Sequence, residues 1–259
     1  GYINMMLTVL SPAKKLDYLS PVKVETYSQP RLLDHSKELL KGLKRLSPQD
    51  VCELMGLSDT LGALNYERFQ EWRVPFDTDN ARPAVLAFKG DVYRGLDAET
   101  MTNDDLNWAQ GTLRILSGLY GVLRPLDLIQ PYRLEMGTKY ANPRGPNLYA
   151  FWDNIINREL NALLEKPSDV LVNLASNEYF KAAKEKNITG RVITPVFMDN
   201  KDGTYKIISF FAKKARGLMA AFIIKGRITD AEDIKHFDSD GYSFNSTLSE
   251  GTKWVFTRG

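Results

Sequence analysis

The sequence has very few of the side chains that build metal centres or covalent catalytic sites. Its 259 residues contain one cysteine, Cys52, and two histidines, His35 and His236. A single cysteine excludes an internal disulfide, and this set cannot supply a zinc site made of cysteine and histidine. Neither histidine lies near a recognisable nucleophile motif, so we expect both on helix surfaces rather than in a catalytic triad. We therefore predict neither a resident metal nor a cofactor.

Long apolar runs are also missing. No run approaches the roughly 20 residues that a membrane-spanning helix needs, and the first residues lack the pattern of a secretory signal. Together with the near absence of cysteine, this predicts a cytoplasmic protein that does not bind membranes. Met6 is a plausible native start, so we expect residues 1–5 to be extraneous and residues 6–259 to form a single domain.

The common motifs of catalytic and nucleotide-binding sites are absent from the chain. It contains no P-loop, no G-x-G-x-x-G, no G-x-S-x-G and no H-E-x-x-H. Loops offer Asp91, Asp127, Glu135 and Glu178 to a magnesium or paired-carboxylate site, although acids in loops are mostly solvated. The sequence therefore identifies no catalytic residue.

Short apolar runs alternate with amphipathic segments along the chain, which favours an α/β fold, with α+β as the alternative. The predicted strands cover residues 7–10, 84–88, 113–116, 170–174, 191–198 and 204–211, with two further short strands near Tyr242 and Trp254. The predicted helices cover residues 102–112, 147–165, 212–227 and 230–236. Residues 30–73 are predicted to form a helical subdomain, in which Ser47 and Ser58 cap the second and third helices.

Polar loops follow four of the predicted strands, at residues 11–15, 89–93, 117–133 and 176–181. If the strands are parallel neighbours, their carboxyl ends share one edge of the sheet and the loops converge there. Otherwise they are independent solvated loops. Convergence would combine several cations with a few carboxylates, which suits a phosphate-bearing ligand. The pocket would contain Lys14, Lys15, Lys89, Asp91, Tyr132, Arg133, Glu178 and Lys181.

The formal net charge is only +2, but it is unevenly distributed. Residues 203–229 contain no acid and six basic residues, which are Lys206, Lys213, Lys214, Arg216, Lys225 and Arg227. The last five fall opposite the apolar side of the predicted helix, formed by Ala215, Leu218, Met219, Phe222 and Ile223. A cationic face without acids can track the phosphates of a nucleic acid. The ordinary alternative is a solvated helix face.

The glycine-containing turn at residues 117–122 has two interpretations. One is the hairpin of a helix-hairpin-helix, an element that grips the DNA backbone through its amides. The other is a strand-to-loop transition packed in the core, which we favour because residues 113–116 have a typical strand pattern. In either case, the amides of Gly118 and Gly121 are candidate donors to an anion.

Several long motifs are spread over nearly the whole chain from Met6. They are Ser11-Pro12-Ala13-Lys14, Phe88-Lys89-Gly90-Asp91-Val92-Tyr93, residues 116–137, Asn173-Leu174-Ala175-Ser176, Glu178-Tyr179-Phe180 and residues 211–219. Together they resemble the bacterial YaaA peroxide-stress protein family. The resemblance implies a cytoplasmic protein that limits damage from hydrogen peroxide and is associated with low free intracellular iron. It also implies DNA binding through a positively charged cleft, in a single unusual α/β fold with a helix-hairpin-helix-like element, and it supplies no established catalytic residue.

These observations predict a protein that binds the DNA backbone and selects structure rather than sequence, since no segment resembles a recognition helix. The predicted DNA-binding residues are Lys14, Lys15, Lys89, Gly118, Gly121, Arg124, Arg133, Lys181, Lys213, Lys214 and Arg216. The alternative is an enzyme acting on a nucleotide or nucleic-acid component. It would use Asp91 or Glu178 as general base and Lys14, Lys89 and Arg133 as phosphate clamps. A third hypothesis is iron binding by carboxylates.

Overall fold

A mixed sheet forms the centre of the computed structural model, which describes residues 4–259. The strands are β1 (Met6–Leu10), β2 (Lys15–Leu16), β3 (Arg82–Pro83), β4 (Phe88–Lys89), β5 (Leu113–Ser117), β6 (Gly121–Leu123), β7 (Leu128–Ile129), β8 (Val170–Leu174), β9 (Arg191–Lys201), β10 (Thr204–Lys206), β11 (Ser243–Phe244) and β12 (Lys253–Arg258). Within the described chain, eight of them form one sheet in the order β11-β12-β9-β8-β1-β5-β6, with β10 paired to β9. The pairs β2–β4 and β3–β7 lie outside it.

Helices pack around this sheet. They are α1 (Leu33–Leu43), α2 (Pro48–Met55), α3 (Asp59–Glu71), α4 (Ala84–Ala87), α5 (Asp91–Leu96), α6 (Asn103–Thr112), α7 (Leu148–Trp152), α8 (Ile155–Asn161), α9 (Asn177–Phe180) and α10 (Ser209–Lys225). Short 3-10 helices occupy Ala98–Thr100, Lys181–Ala183, Glu185–Asn187, Ala231–His236 and Ser239–Gly241. The predicted α/β class with a mixed sheet is confirmed. None of the helices within residues 4–259 combines the length and apolar character needed to cross a bilayer.

The central strands β8, β1 and β5 run parallel to one another. Every residue of these strands is buried, because both faces of the sheet are covered, and this explains their near-continuous apolar sequences. Strands β9 and β12 extend the parallel arrangement beyond β8, while β6, β10 and β11 pair in the antiparallel sense. The carboxyl ends of the parallel strands therefore share one side of the sheet. We call it the carboxyl edge, and Ser11, Gly118 and Ala175 mark it because they follow β1, β5 and β8 directly.

The predicted helices of residues 30–73 are confirmed as α1, α2 and α3. The Ser47 side chain accepts a hydrogen bond from the Asp50 amide, and the Asp50 carboxylate accepts one from the Ser47 amide. The Ser58 side chain accepts from the Leu61 amide at the start of α3. These caps satisfy amides that have no partner inside the first helical turn, which is why serine marks both helix starts in the sequence.

Three of the predicted elements differ from the structure. Residues 84–88 are not one strand, because Ala84–Ala87 form the short helix α4 before β4 begins at Phe88. The predicted helix 147–165 is divided into α7 and α8 by Asp153, whose φ of 45° is not helical. The predicted strand 204–211 ends at Lys206, since α10 already begins at Ser209. In each case the spacing of apolar residues did not show where the backbone changes conformation.

Strands β5 and β6 form a tight antiparallel hairpin in which Ser117 pairs with Gly121. Gly118, Leu119 and Tyr120 make the turn and are buried. Gly121 has a φ of 73°, and a Cβ there would lie 2.8 Å from the Trp152 ring, so glycine is required. The core interpretation of this turn is confirmed. Strands rather than helices flank it, so residues 117–124 do not form a helix-hairpin-helix.

Helix α10 starts at the carboxyl edge. It follows the β9–β10 hairpin and precedes β12, which is parallel to β9, so the helix runs opposite to the strands. It crosses α5 at very short range: a Cβ on Gly217 would lie 1.8 Å from the Val92 carbonyl oxygen, and one on Gly95 would lie 2.1 Å from the Lys214 carbonyl oxygen. These glycines allow the two backbones to touch. The crossing holds the first turns of α10, including Lys213 and Arg216, near the strand ends.

Candidate functional site

The loops that follow β1, β5 and β8 contact one another at the carboxyl edge. The Ser176 amide donates a hydrogen bond to the Ser11 Oγ over 2.8 Å, which joins the β1 loop to the β8 loop. Ser117 Oγ and the Tyr132 hydroxyl lie 2.7 Å apart and fix the path of the segment after β6. Gly118 packs against this same segment, since a Cβ there would lie 2.2 Å from the Leu134 carbonyl oxygen.

The fourth predicted loop reaches the same place by a different route. Lys89 lies on β4, which is not part of the main sheet but pairs with β2, so that Lys89 is opposite Lys15. The Tyr93 hydroxyl donates to the Ser11 carbonyl oxygen over 2.7 Å and ties α5 to the β1 loop. The loops therefore meet, although the strand order alone does not bring the fourth one there.

Lys14 and Arg133 share one carboxylate at this edge. The Lys14 Nζ lies 3.0 Å and the Arg133 Nη2 lies 3.5 Å from the same Glu135 oxygen, Oε1. Two cations thus share one acid and leave a net positive charge. The Nε of Arg133 is buried and has no hydrogen-bond partner in the described chain. A buried guanidinium nitrogen without an acceptor is costly, so an anion that reached this point would gain a strong contact.

The predicted acids of the pocket are used within the protein. The Gly137 amide donates to the Glu178 Oε2 over 2.8 Å, and the Glu178 carbonyl oxygen accepts from the Tyr149 hydroxyl over 2.7 Å. Asp91 is paired with Arg94 one turn later on α5. The ammonium of Lys181 lies 4.7 Å from the centroid of the Tyr149 ring, so this lysine belongs to the same edge.

Arg216 lies on the side of α10 that faces the core. Its neighbours one turn away, Ala212, Met219 and Ala220, are all buried, and Arg216 itself is half-buried. Burial lowers the pKa of the Arg216 guanidinium. Arg216 forms no hydrogen bond or ion pair with the other residues of the range 4–259. A partly desolvated cation without a partner is unusual in a protein interior, and it makes Arg216 the clearest candidate ligand for an anion.

The cations of α10 do not form the single face that the sequence predicts. Lys213 is exposed near the carboxyl edge, and the half-buried Lys214 touches α5 through its backbone. At the opposite end of the helix, the Lys225 ammonium donates to the Thr100 hydroxyl, and Arg227 is paired with Asp105 over 2.7 Å. Residues 203–229 contain no acid, but Asp105 of α6 neutralises Arg227. The helical periodicity of α10 does not reveal this partner.

Three predicted DNA-binding residues lie away from the solvent-facing cations. Gly118 and Gly121 are buried in the β5–β6 hairpin, so their amides do not face solvent. Arg124 binds the buried Asp127 over 3.0 Å and donates to the Gln29 carbonyl oxygen. These three residues stabilise the fold, and we leave them out of the interface proposed below. Glycine and arginine in a turn resemble an anion site, but the two glycines are buried and Arg124 is paired with the buried Asp127.

Three buried tyrosines, Tyr93, Tyr132 and Tyr179, lie in the segments that form the carboxyl edge. Burial is the largest cause that raises the pKa of Tyr93, Tyr132 and Tyr179 above the ordinary value for tyrosine. Each hydroxyl therefore stays protonated and uncharged at neutral pH. These tyrosines are uncharged, so the lysines and arginines dominate the electrostatics of the carboxyl edge.

Sequence reasoning missed Arg68, which lies on α3. Burial is the main cause that lowers the pKa of its guanidinium; Tyr18 acts in the opposite sense, and the charge of Arg133 adds a smaller lowering effect. The signal was present in the sequence, because Arg68 lies at helical spacing from the buried residues Asn65 and Trp72. Within the described residues, no group of three or more histidines, cysteines and acids is arranged to hold a metal ion.

The fold and this edge define an α/β protein with a group of lysines and arginines at the ends of its parallel strands. Comparison with known proteins identifies the family. The chain belongs to the family of the peroxide stress protein YaaA, whose family model matches residues 6–248. A UPF0246 protein from Teredinibacter turnerae is 61% identical over 254 residues, which cover 98% of this chain and 99% of the relative. A UPF0246 protein from Saccharophagus degradans is also 61% identical over 254 residues, with the same coverage. One from Cellvibrio japonicus is 57% identical and covers 98% of both chains.

Proposed function

We propose that this protein acts in the cytoplasm during peroxide stress and binds DNA through the cations of the carboxyl edge. The interface consists of Lys14, Lys15, Lys89, Arg133, Lys181, Lys213, Lys214 and Arg216. The observation that carries the proposal is the half-buried, unpaired Arg216 near the strand ends. It supports a role in binding a polyanion, because a phosphate would supply the missing partner.

The mode of binding follows from the kind of side chain present. Lysines and arginines at strand ends and in the first turns of α10 contact phosphates, which are the same in every DNA sequence. Each neutralised phosphate releases counterions, so the affinity falls steeply as the salt concentration rises. We therefore propose that the protein selects DNA by shape and charge rather than by base sequence.

Salt-dependent binding of a fluorescent duplex of random sequence tests the proposal. A Lys213→Gln and Arg216→Gln double variant should bind more weakly, and the slope of log K against log salt should become shallower by about 0.9 for each lost phosphate contact. Lys225→Gln is the matched control, because this lysine lies at the other end of α10 and donates to Thr100. Its slope should equal that of the unmodified protein.

Three outcomes would refute DNA binding at this edge. The first is an unmodified protein that does not bind the duplex at low salt. The second is an affinity that barely responds to salt. The third is a double variant that is folded by circular dichroism and binds like the control.

We further propose that DNA occupancy limits iron-dependent radical damage, and that the protein keeps free iron away from DNA in this way. Plasmid nicking by ferrous iron and hydrogen peroxide is the assay. The unmodified protein should protect the plasmid, and the Lys213→Gln and Arg216→Gln variant should not. Anaerobic calorimetry with ferrous iron separates this from sequestration of iron by the protein itself. Equal protection by both proteins would refute shielding of the DNA.

An enzyme acting on a nucleotide is the second candidate, favoured by the meeting of the strand-end loops. Its proposed general bases, Asp91 and Glu178, are paired with Arg94 and with the Gly137 amide. A base must be free to accept a proton from the substrate, so this candidate ranks below DNA binding. Release of phosphate or base from nucleotides, lost in Glu178→Gln but kept in Glu185→Gln, would reverse this order.

A further inference from the structure

A cavity of about 450 Å³ lies on the α3 side of the segment that follows β7. Its lining includes Tyr18, Arg68, Trp72, Arg73, Arg82 and Gln130. The volume lies in the range of sites for small ligands, about 300–1,000 Å³. None of these residues belongs to the DNA interface proposed above.

Most of the polar wall of this cavity is already satisfied. Arg82 is paired with Asp17 over 3.2 Å and also donates to the Ser20 carbonyl oxygen. The Gln130 side chain accepts from the Arg73 amide over 3.0 Å and donates to the Arg73 carbonyl oxygen over 2.6 Å. The Tyr18 hydroxyl donates to the backbone at 2.6 Å, so its ring is fixed. The site is therefore largely formed before any ligand arrives.

Two guanidiniums of the wall are not satisfied. Arg68 makes one hydrogen bond, from Nη1 to the Asn65 Oδ1 at 3.3 Å. The Arg73 guanidinium makes one long contact, at 3.5 Å, with the Glu71 carbonyl oxygen. A guanidinium carries five N–H donors, so most donors of both groups remain open. Neither arginine is paired with a carboxylate in the described part of the chain.

Two acids, Glu71 and Asp79, also line the cavity, and both are exposed. Water and salt screen exposed charges far more than partly buried ones. Arg68 is half-buried. Arg73 is exposed and is screened like the two acids, so the unpaired, partly buried charge of the cavity is that of Arg68. An anionic group that also reaches Arg73 would be its best partner.

We propose that this cavity binds a nucleoside phosphomonoester, with Arg68 and Arg73 on the phosphate and the ring of Tyr18 against the nucleoside. Arginine binds phosphate oxygens through two parallel N–H donors, which explains why open guanidiniums rather than lysines line the site. The inference goes beyond DNA backbone binding and does not depend on it. The ligand is either a free nucleotide or the phosphorylated end of a DNA strand.

Calorimetry with adenosine 5′-monophosphate, and with adenosine as the control lacking phosphate, tests the site. The monophosphate should bind, and adenosine should bind at least about tenfold more weakly, because it lacks the charge-assisted hydrogen bonds. Arg68→Gln should weaken monophosphate binding by about tenfold or more. Arg158→Gln, which removes an exposed arginine of α8, should bind like the unmodified protein.

A second pair of probes identifies the source of the phosphomonoester. A single-stranded oligonucleotide with a 5′-phosphate is compared with the same strand carrying a 5′-hydroxyl. Preference for the phosphorylated strand, lost in Arg68→Gln, identifies a strand end, whereas binding of the free nucleotide alone identifies a small-molecule site. If neither probe depends on its phosphate, or if Arg68→Gln binds both as well as Arg158→Gln does, the proposal is wrong.

Two further variants keep the test decisive. Should Arg68→Gln fail to fold, Arg73→Gln removes the exposed guanidinium of the same pair and should also weaken phosphate-dependent binding. The Lys213→Gln and Arg216→Gln variant should retain monophosphate binding, so failure of DNA binding and failure of this site are distinguished. Equal monophosphate affinity in Arg73→Gln and in Arg158→Gln would overturn the assignment of the phosphate to these arginines.

Discussion

Replacing Gly217 with alanine tests the close crossing of α5 and α10. The added Cβ would lie 1.8 Å from the carbonyl oxygen of Val92. Because a carbon and a carbonyl oxygen in contact are about 3.3 Å apart, the two helices must separate by about 1.5 Å. The obstacle is backbone rather than a flexible side chain, so no rotamer change relieves it. The neighbouring Arg216 would move together with the helix.

The expected cost combines two opposing effects. Overpacking that forces backbone to shift costs about 3 kcal/mol at the upper end of its usual range. The better helix propensity of alanine offsets about 1 kcal/mol of this. We therefore expect Gly217→Ala to lower the free energy of unfolding by about 2 kcal/mol.

Urea denaturation followed by tryptophan fluorescence measures this change. The matched control is Gly111→Ala in α6, where an added Cβ meets nothing within 4 Å. That variant should be more stable than the unmodified protein by about 0.5–1 kcal/mol. A Gly217→Ala protein as stable as the unmodified one would refute the direct contact between the two helix backbones.

Two further predictions concern charged groups away from the carboxyl edge. Arg124→Gln should lower the free energy of unfolding by about 3 kcal/mol, because the buried Asp127 loses its cation. Arg158→Gln should change it by less than about 0.5 kcal/mol, and equal denaturation midpoints for the two variants would contradict a structural role for Arg124. His35→Gln should flatten the loss of stability below about pH 6.5. Burial and Arg144 hold the pKa of His35 below its ordinary value, so the unfolded chain accepts a proton that the native protein disfavours, and stability present above that pH is lost as it falls. Urea denaturation of both proteins at about pH 8 and about pH 5.5 measures this, and the same pH dependence in the variant would show that His35 does not contribute.

Local features of the fold could be predicted from the sequence because their causes are local. Ser47 and Ser58 cap helices through amides three residues away, so the sequence carries the whole signal. The apolar run of β1 indicates a buried strand because both faces of a parallel strand are covered. Asp153 shows the limit of this approach, since its left-handed backbone divides a helix whose apolar spacing continues on both sides.

The local sequence pattern was not enough to predict the roles of the charged residues. The sequence predicted one cationic face that included Arg216, Lys225 and Arg227, yet Arg216 turns toward the core. Arg227 finds its acid on α6, more than 100 residues earlier in the chain. Arg124 resembled an anion-binding residue until its buried partner was known. Only the partner of Arg227 is distant in sequence, because Arg124 pairs with Asp127 three residues later and Arg216 has no partner in the described chain. Periodicity alone does not give the burial of these side chains or of their partners, so it could not assign their roles.

The sequence by itself determined the α/β class, the positions of most helices and central strands, and the resemblance of its long motifs to those of the family. The tertiary structure alone decided which strands are neighbours, which cations are paired, and which guanidiniums are left partly buried without an acid. The physical reason is that secondary structure depends on residues a few positions apart. The charge state of a side chain depends instead on the charges and hydrogen-bond partners that folding places near it and on how far folding removes it from water.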